Sequence, residues 1–192
     1  RVNHEVRYTS AHRPAKWLHA DISMYQGGSI EHDCRWVKYG HKQIKAKLGA
    51  YVEFTKFNKL GSPHPGVLKR LSHTGNAWNG EANSLEFPIK KKSKIRGIEW
   101  TVVTNTGKYW VVGLADPTAA NKDKGYNNIP FGIYGHSNGY YYIYENGKNI
   151  AGHFGKMAPE SVFSIYLNKF NEIEYSLNGK AFYTSKKKPN LP

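Results

Sequence analysis

At 192 residues the chain is long enough to bury one substantial core, or one domain with an extension, and short for two large domains. Lys and Arg outnumber Asp and Glu by 28 to 14, and a net charge of +14 makes a polyanion the natural long-range partner: nucleic acid, acidic or sulfated polysaccharide, anionic membrane, or an anionic mineral such as silica. No run approaches the roughly 20 apolar residues that cross a bilayer, and a single cysteine, Cys34, excludes an intrachain disulfide.

Residues 1–48 hold five of the nine histidines (His4, His12, His19, His32, His41) and read as an irregular basic extension. Trp17, Leu18, Ile22, Met24 and Tyr25 give it apolar groups to bury, so it is expected to wrap one sheet of the following domain or to meet another chain. Around Trp36 to Leu48 the apolar residues are interspersed with lysine, which suits either a short basic helix or an edge strand. Cys34 reads as a buried or idle thiol, and a disulfide through it would have to join two copies in a homo-oligomer. The chain begins at Arg1 rather than Met, which fits either a removed upstream segment or an engineered boundary, and secretion is the expectation.

From Gly49 the pattern is β, and residues 49–192 read as one domain with a lysine-rich tail. Tyr51 to Phe57 alternates, with Val52 and Phe54 on the inward face. Further strands are expected at 67–71, 84–89, 96–103, 109–114, 129–134, 139–145, 162–167, 172–177 and 180–184. Asn146-Gly147 and Asn178-Gly179 each follow an alternating aromatic or β-branched run, and Asn-Gly best tolerates the consecutive positive φ angles of a tight hairpin. An aromatic content of 14% agrees, since flat and β-branched side chains pack well on a pleated surface. Some ten short strands joined by turns imply an all-β protein of two packed antiparallel sheets. The expected core includes Val52, Phe54, Leu85, Trp100, Val102, Val111, Leu114, Ile133, Ile143, Phe163, Ile165, Ile173, Tyr175 and Phe182.

The stretch Trp78-Asn79-Gly80-Glu81-Ala82-Asn83-Ser84 resembles the Trp-Asn-x-x-Ala-x-Ser signature of concanavalin A-like, SPRY-like β-sandwich domains. The order continues as in that family, through Gly97-Ile-Glu-Trp-Thr101, Tyr109-Trp-Val-Val-Gly-Leu114, Tyr142-Ile-Tyr-Glu-Asn-Gly147, and Ile173 to Gly179 followed by Phe182-Tyr-Thr-Ser185. The resemblance spans about Gly49 to Ser185 and implies a concanavalin A-like jelly roll. That superfamily includes lectins, glucanases and protein-interaction modules, so the fold alone does not select a function.

Each candidate site has its own chemistry. A retaining glucanase needs two carboxyl groups about 5 to 5.5 Å apart, and the nearest match is Glu172 with Glu174 on one strand face, lacking the family's intervening Asp and third Glu. No nucleophile elbow of Gly-x-Ser-x-Gly type appears, no histidine pair has metal-ligand spacing, and no cofactor is implied. Nucleic acid ranks low among polyanions because no zinc-finger, RNP-like or convincing helix-turn-helix pattern is present. Sugar binding needs exposed aromatic faces beside amides and carboxylates, and Asp116, Asn121, Asp123, Tyr126, Asn127, Asn128, His136, Asn138 and Tyr140 form such loop sets, with Trp78 read as core. Anion binding would draw on Lys90, Lys91, Lys92, Lys94, Lys186, Lys187 and Lys188, with Arg35, Lys38, Lys42 and Lys45 of the extension. The expectation is a non-enzymatic, extracellular, lectin-like protein for acidic polysaccharide or another anionic surface. The alternatives are a self-assembling matrix or mineral-associated protein, for silica for example, and a glycoside hydrolase.

Overall fold

The computed structural model describes residues 19–25, 35–38, 47–52, 54, 56–62, 67–70, 78–84, 89, 94–102, 109–115 and 125–189. Among them there is no α-helix, and hence none long and apolar enough to cross a membrane. The strands are β1 (His19–Tyr25), β2 (Arg35–Lys38), β3 (Lys47–Tyr51), β4 (Lys56–Asn58), β5 (Leu60–Gly61), β6 (Lys69–Arg70), β7 (Trp78–Asn83), β8 (Ile95–Thr101), β9 (Tyr109–Ala115), β10 (Phe131–Gly135), β11 (Tyr140–Glu145), β12 (Lys148–Asn149), β13 (Gly155–Lys156), β14 (Val162–Leu167), β15 (Ile173–Leu177) and β16 (Lys180–Thr184). The first sheet runs β12-β11-β10-β9-β1-β7-β4, with β13 also on β11; the second runs β16-β15-β14-β8-β2-β3. The pairings within both are antiparallel.

The two sheets form a β-sandwich because the strands alternate. In β11 Tyr141, Ile143 and Glu145 are buried while Tyr140, Tyr142 and Tyr144 are half-buried on the other face. Ile133 and Ile143 of the first sheet meet a shared core with Ile98, Trp100, Phe163, Ile165, Ile173 and Tyr175 of the second. At its centre Trp100 stacks on Phe163 with ring centroids 5.9 Å apart, and Trp110 meets Trp100 edge-on at 6.1 Å. Tyr141 adds a further edge contact to Phe163 at 5.1 Å. The Trp110 ring also lies against Gly135, where any Cβ would strike it, so a glycine is required at that point of β10.

Both Asn-Gly turns form as expected. Asn146 and Gly147 have φ of 52° and 72°, and Asn178 and Gly179 of 51° and 75°, the positive pairs of a type I′ hairpin. Asn178 does more than turn: its Oδ1 accepts the Val162 N–H at 2.9 Å, tying the β15–β16 turn to the start of β14.

Within the first 48 residues, the described stretches 19–25, 35–38 and 47–48 form strands rather than the expected irregular extension. β1 is an internal strand of the first sheet, with Ile22 opposite Ala82 of β7 on one side and Val112 of β9 on the other, and Ile22 is fully buried. β2 lies inside the second sheet between β8 and β3, so the helix alternative for Trp36 to Leu48 does not hold where it is described, and the edge position belongs to β3. The physical reason is the alternation of His19 to Tyr25, which satisfies a strand as soon as two partners flank it. Residues 1–18 and Cys34 lie outside the described residues.

Two strands shift. The expected strand over 51–57 divides into β3 and β4, and the chain crosses from the second sheet to the first with Val52 and Phe54 buried at the crossing. Of the strand expected at 84–89, Ser84 follows β7, residues 85–88 lie outside the described residues and Ile89 is buried, while Trp78 to Asn83 is a further strand that pairs with β1 and β4. Within the expected core, Leu85 lies outside the described residues, Phe182 is partly buried against the core, and Val111 is buried on the opposite face of β9.

Among the described residues one basic side chain is buried. Arg96 on β8 donates to the Leu167 carbonyl (3.3 Å), the Asn168 carbonyl (2.8 Å) and Asn171 Oδ1 (2.8 Å), pinning the β14–β15 turn. Arg96→Met should therefore cost about 2 kcal/mol, because acceptors that lose a buried donor keep their desolvation cost. Urea unfolding checks this, with loss of hydrogen-exchange protection expected first at Asn171 and Glu172.

Candidate functional site

The face of the first sheet turned away from the core is aromatic. Trp110, Val112 and Leu114 enter the core, so by alternation Val111 and Gly113 face outward. Gly113 pairs with Gly132 of β10, and this pair of missing side chains makes a seat where Ile129 packs, in contact with Gly113 and 3.2 Å from where a Gly132 Cβ would stand. Ile129 is anchored there, 1% exposed, directly after a 3-10 turn over Gly125–Asn128 that carries Tyr126 onto the same face.

Tyr134 is the hub of this face. Its ring lies 4.8 Å from Tyr144 in a stacked geometry, 5.7 Å from Trp78, 5.8 Å from Tyr142, 6.0 Å from His136, and 6.4 Å from both Tyr109 and Tyr126. The outer rings touch one another as well. Trp78 meets Tyr126 at 4.7 Å, Tyr109 meets His136 at 4.8 Å, and Tyr126 meets Tyr144 at 5.7 Å. All seven rings are half-buried, and beneath them Val111 is completely covered. Such a set is rigid before any ligand arrives, since every ring is held by several neighbours.

Burial first, then the neighbouring phenols of Tyr144, Tyr109, Tyr126 and Tyr142, push the Tyr134 hydroxyl well above the ordinary phenol range. Tyr144 is raised for the same leading reason. These hydroxyls are neutral at physiological pH and act as both donors and acceptors. His136 Nδ1 accepts the Asn138 N–H at 3.2 Å, which places the proton of a neutral ring on Nε2.

At the β11 end the face continues to Tyr140. The His153 ring lies 4.3 Å from the Tyr140 ring, and Lys156 Nζ sits 5.1 Å from its centroid. His153 also reaches Tyr142 at 6.4 Å, which makes this corner continuous with the rings around Tyr134.

Of the residues expected to bind sugar, Tyr126, His136 and Tyr140 come together on this face. Asn127 is exposed and stands against Gly147, and Asn128 ends the 3-10 turn. Asn138 is committed to its own turn, accepting the Tyr140 N–H at 3.1 Å. Asp116, Asn121 and Asp123 lie outside the described residues.

Trp78 is a correction: it is half-buried on the outer face and joins Tyr126 and Tyr134 rather than the core. Sequence reasoning also missed Tyr109, Tyr134, Tyr142 and Tyr144. The usable signal was the two-residue spacing of Tyr140, Tyr142 and Tyr144, which puts all three rings on one side of a strand.

The basic candidates that the structure describes all lie on or next to strands of the second sheet. Lys94 is exposed at the start of β8, and Lys186 and Lys188 are exposed after β16. Lys187 is already engaged, 3.6 Å from the buried Glu145 carboxylate that also accepts the Tyr175 hydroxyl at 3.5 Å. Arg35 and Lys38 begin and end β2 in the second sheet, while Lys42, Lys45 and Lys90 to Lys92 lie outside the described residues.

Glu174 lies in β15 of the second sheet and Glu172 just before that strand, in the β14–β15 turn, and both are occupied. Glu174 accepts the Tyr166 hydroxyl, and Glu172 accepts Asn168 Nδ2 at 3.1 Å. Comparison of the chain with family models, curated proteins and solved structures gives no match.

Proposed function

We propose that the protein is a non-enzymatic, extracellular carbohydrate-binding protein with a concanavalin A-like jelly-roll fold, and that it takes an acidic polysaccharide on the outer face of its first sheet. The observation that carries this reading is the convergence of six rings on Tyr134, a preformed aromatic surface ringed by phenol and imidazole polar groups. A pyranose offers a flat C–H face to stack on such rings and hydroxyls to hydrogen-bond at their rim, the combination of apolar walls and few polar groups that small-molecule sites use. The net charge of +14 supports an acidic rather than a neutral polymer. The fold assignment is supported by where the family-like segments fall: Gly97 to Thr101 in β8, Tyr109 to Leu114 in β9, and the two Asn-Gly segments at hairpins.

The test is a glycan array followed by titration with a polyuronate, a sulfated polymer and a neutral β-glucan. Tyr134→Ala and Trp78→Ala should each weaken binding about ten- to a hundredfold, the size expected for truncating a central aromatic anchor, with the circular dichroism spectrum retained. Binding that ranks only by polymer charge, vanishes in salt and ignores both substitutions would sink the sugar site in favour of a general anionic surface such as silica. New reducing ends released from any of these polymers would overturn the non-enzymatic reading.

A further inference from the structure

The loop after β12 returns to β11 under tight control. Ile150 N–H donates to the Ile143 carbonyl (3.2 Å), Phe154 N–H to the Tyr141 carbonyl (3.0 Å) and Met157 N–H to the Gly139 carbonyl (2.8 Å). Phe154 packs on Phe182 and Tyr183, Met157 is buried, and Gly155 fits because a Cβ there would already stand 3.0 Å from the Tyr141 ring. The backbone of this segment is therefore fixed on both sides of two exposed basic side chains, His153 and Lys156.

Both side chains converge on a single ring. Strand β13 pairs Lys156 with Tyr140, which sets Lys156 Nζ 5.1 Å from the Tyr140 centroid, while His153 lies against the same ring at 4.3 Å. A cation held over an aromatic face stays available to an anion arriving from solvent, since the ring supplies no hydrogen-bond acceptor that would satisfy the ammonium. This corner adjoins the aromatic hub through the contact of His153 with Tyr142, and Tyr142 lies 5.8 Å from Tyr134.

Resting on the sugar-binding reading above, we propose that Lys156 and His153 form an anion subsite at the β11–β13 edge, which holds the carboxylate or sulfate of a sugar whose ring stacks on the adjoining tyrosines. Affinity for the polymer is then set by the position of its acidic group and not by the overall charge of the protein alone. The exposed lysines of the second sheet, such as Lys180, contribute only to long-range attraction.

The experiment uses the full chain and three oligosaccharides of one backbone: neutral, uronate-bearing and sulfated. The double variant His153→Gln/Lys156→Met should bind the anionic oligosaccharides about tenfold more weakly, leave the neutral one unchanged, and flatten the dependence of log Kd on log salt by about one unit, as expected for losing one charge contact to the ligand. Lys180→Met, with a comparable loss of charge, should leave all three affinities unchanged. Whether the uronate or the sulfated arm shows the larger loss identifies the anion. If the double variant binds all three as the parent does while Tyr134→Ala still weakens them, the subsite is refuted and the aromatic site stands. If the parent binds none of the three, both readings fall together.

Discussion

Trp100→Ala should destabilise the protein by about 3–5 kcal/mol, the usual cost of deleting a large aromatic side chain from a packed core. Trp100 is fully buried, stacks on Phe163 and receives the edge of Trp110, so its removal opens a cavity where the two sheets meet. The neighbours cannot collapse inward easily. Trp110 is already held against Gly135, and Phe163 against Tyr141. Thermal and urea unfolding should both report the loss. The Trp100 indole N–H is buried with no hydrogen-bond partner among the described residues, so Trp100→Phe removes an unsatisfied donor and should restore most of the stability. A loss below about 1.5 kcal/mol for the alanine variant would mean that the sheets do not meet at this contact.

Alkaline titration should unfold the protein steeply above pH 10. Burial foremost, then the negative charge of Glu145 and the neighbouring Tyr183, hold the Tyr175 hydroxyl well above its ordinary value of 10.0. Below pH 10 the phenol is protonated in the folded and unfolded chain alike, and its contribution to stability is intact. Above pH 10 the unfolded chain releases the proton and the folded chain does not, so stability falls by about 1.4 kcal/mol per pH unit from Tyr175 alone. Burial raises Tyr134, Tyr141, Tyr144 and Tyr183 in the same direction, and their greater exposure makes each contribution smaller. The phenolate absorbance that Tyr175→Phe removes should appear in the same step as the loss of the far-ultraviolet circular dichroism signal. Tyr175→Phe should make that step shallower. A Tyr175 phenolate, taken as the difference from Tyr175→Phe, that forms near pH 10 with the sheets intact would refute its assignment to the core.

What was legible in the sequence was local. The Asn-Gly turns appear at Asn146 and Asn178 because the dipeptide itself prefers their dihedral angles, and the alternation of Tyr140 to Glu145 sorts inward from outward residues without reference to any partner. β1 was not legible because nothing within His19 to Tyr25 states which strands will flank it. Arg96 looks like an ordinary strand cation until the carbonyls of Leu167 and Asn168 are brought to it across the sheet. The candidate site was half legible for the same reason. Tyr126, His136 and Tyr140 could be picked as polar aromatics in loops, but their meeting with Trp78, Tyr109 and Tyr134 depends on the pairing of β7, β9 and β10.

The interior position of β1 governs the order in which the molecule can assemble during synthesis. This strand leaves the ribosome before either neighbour exists, and its backbone groups must wait for β7 and then for β9. From β10 onward successive strands such as β10–β11 and β14–β15–β16 pair with near neighbours in the chain, contacts that close quickly. A strand translated early is thus locked in place only when β9 has followed it. Until β7 emerges it presents unpaired edges on both sides, and until β9 emerges on one, the condition under which a nascent chain most needs protection from joining another copy of itself.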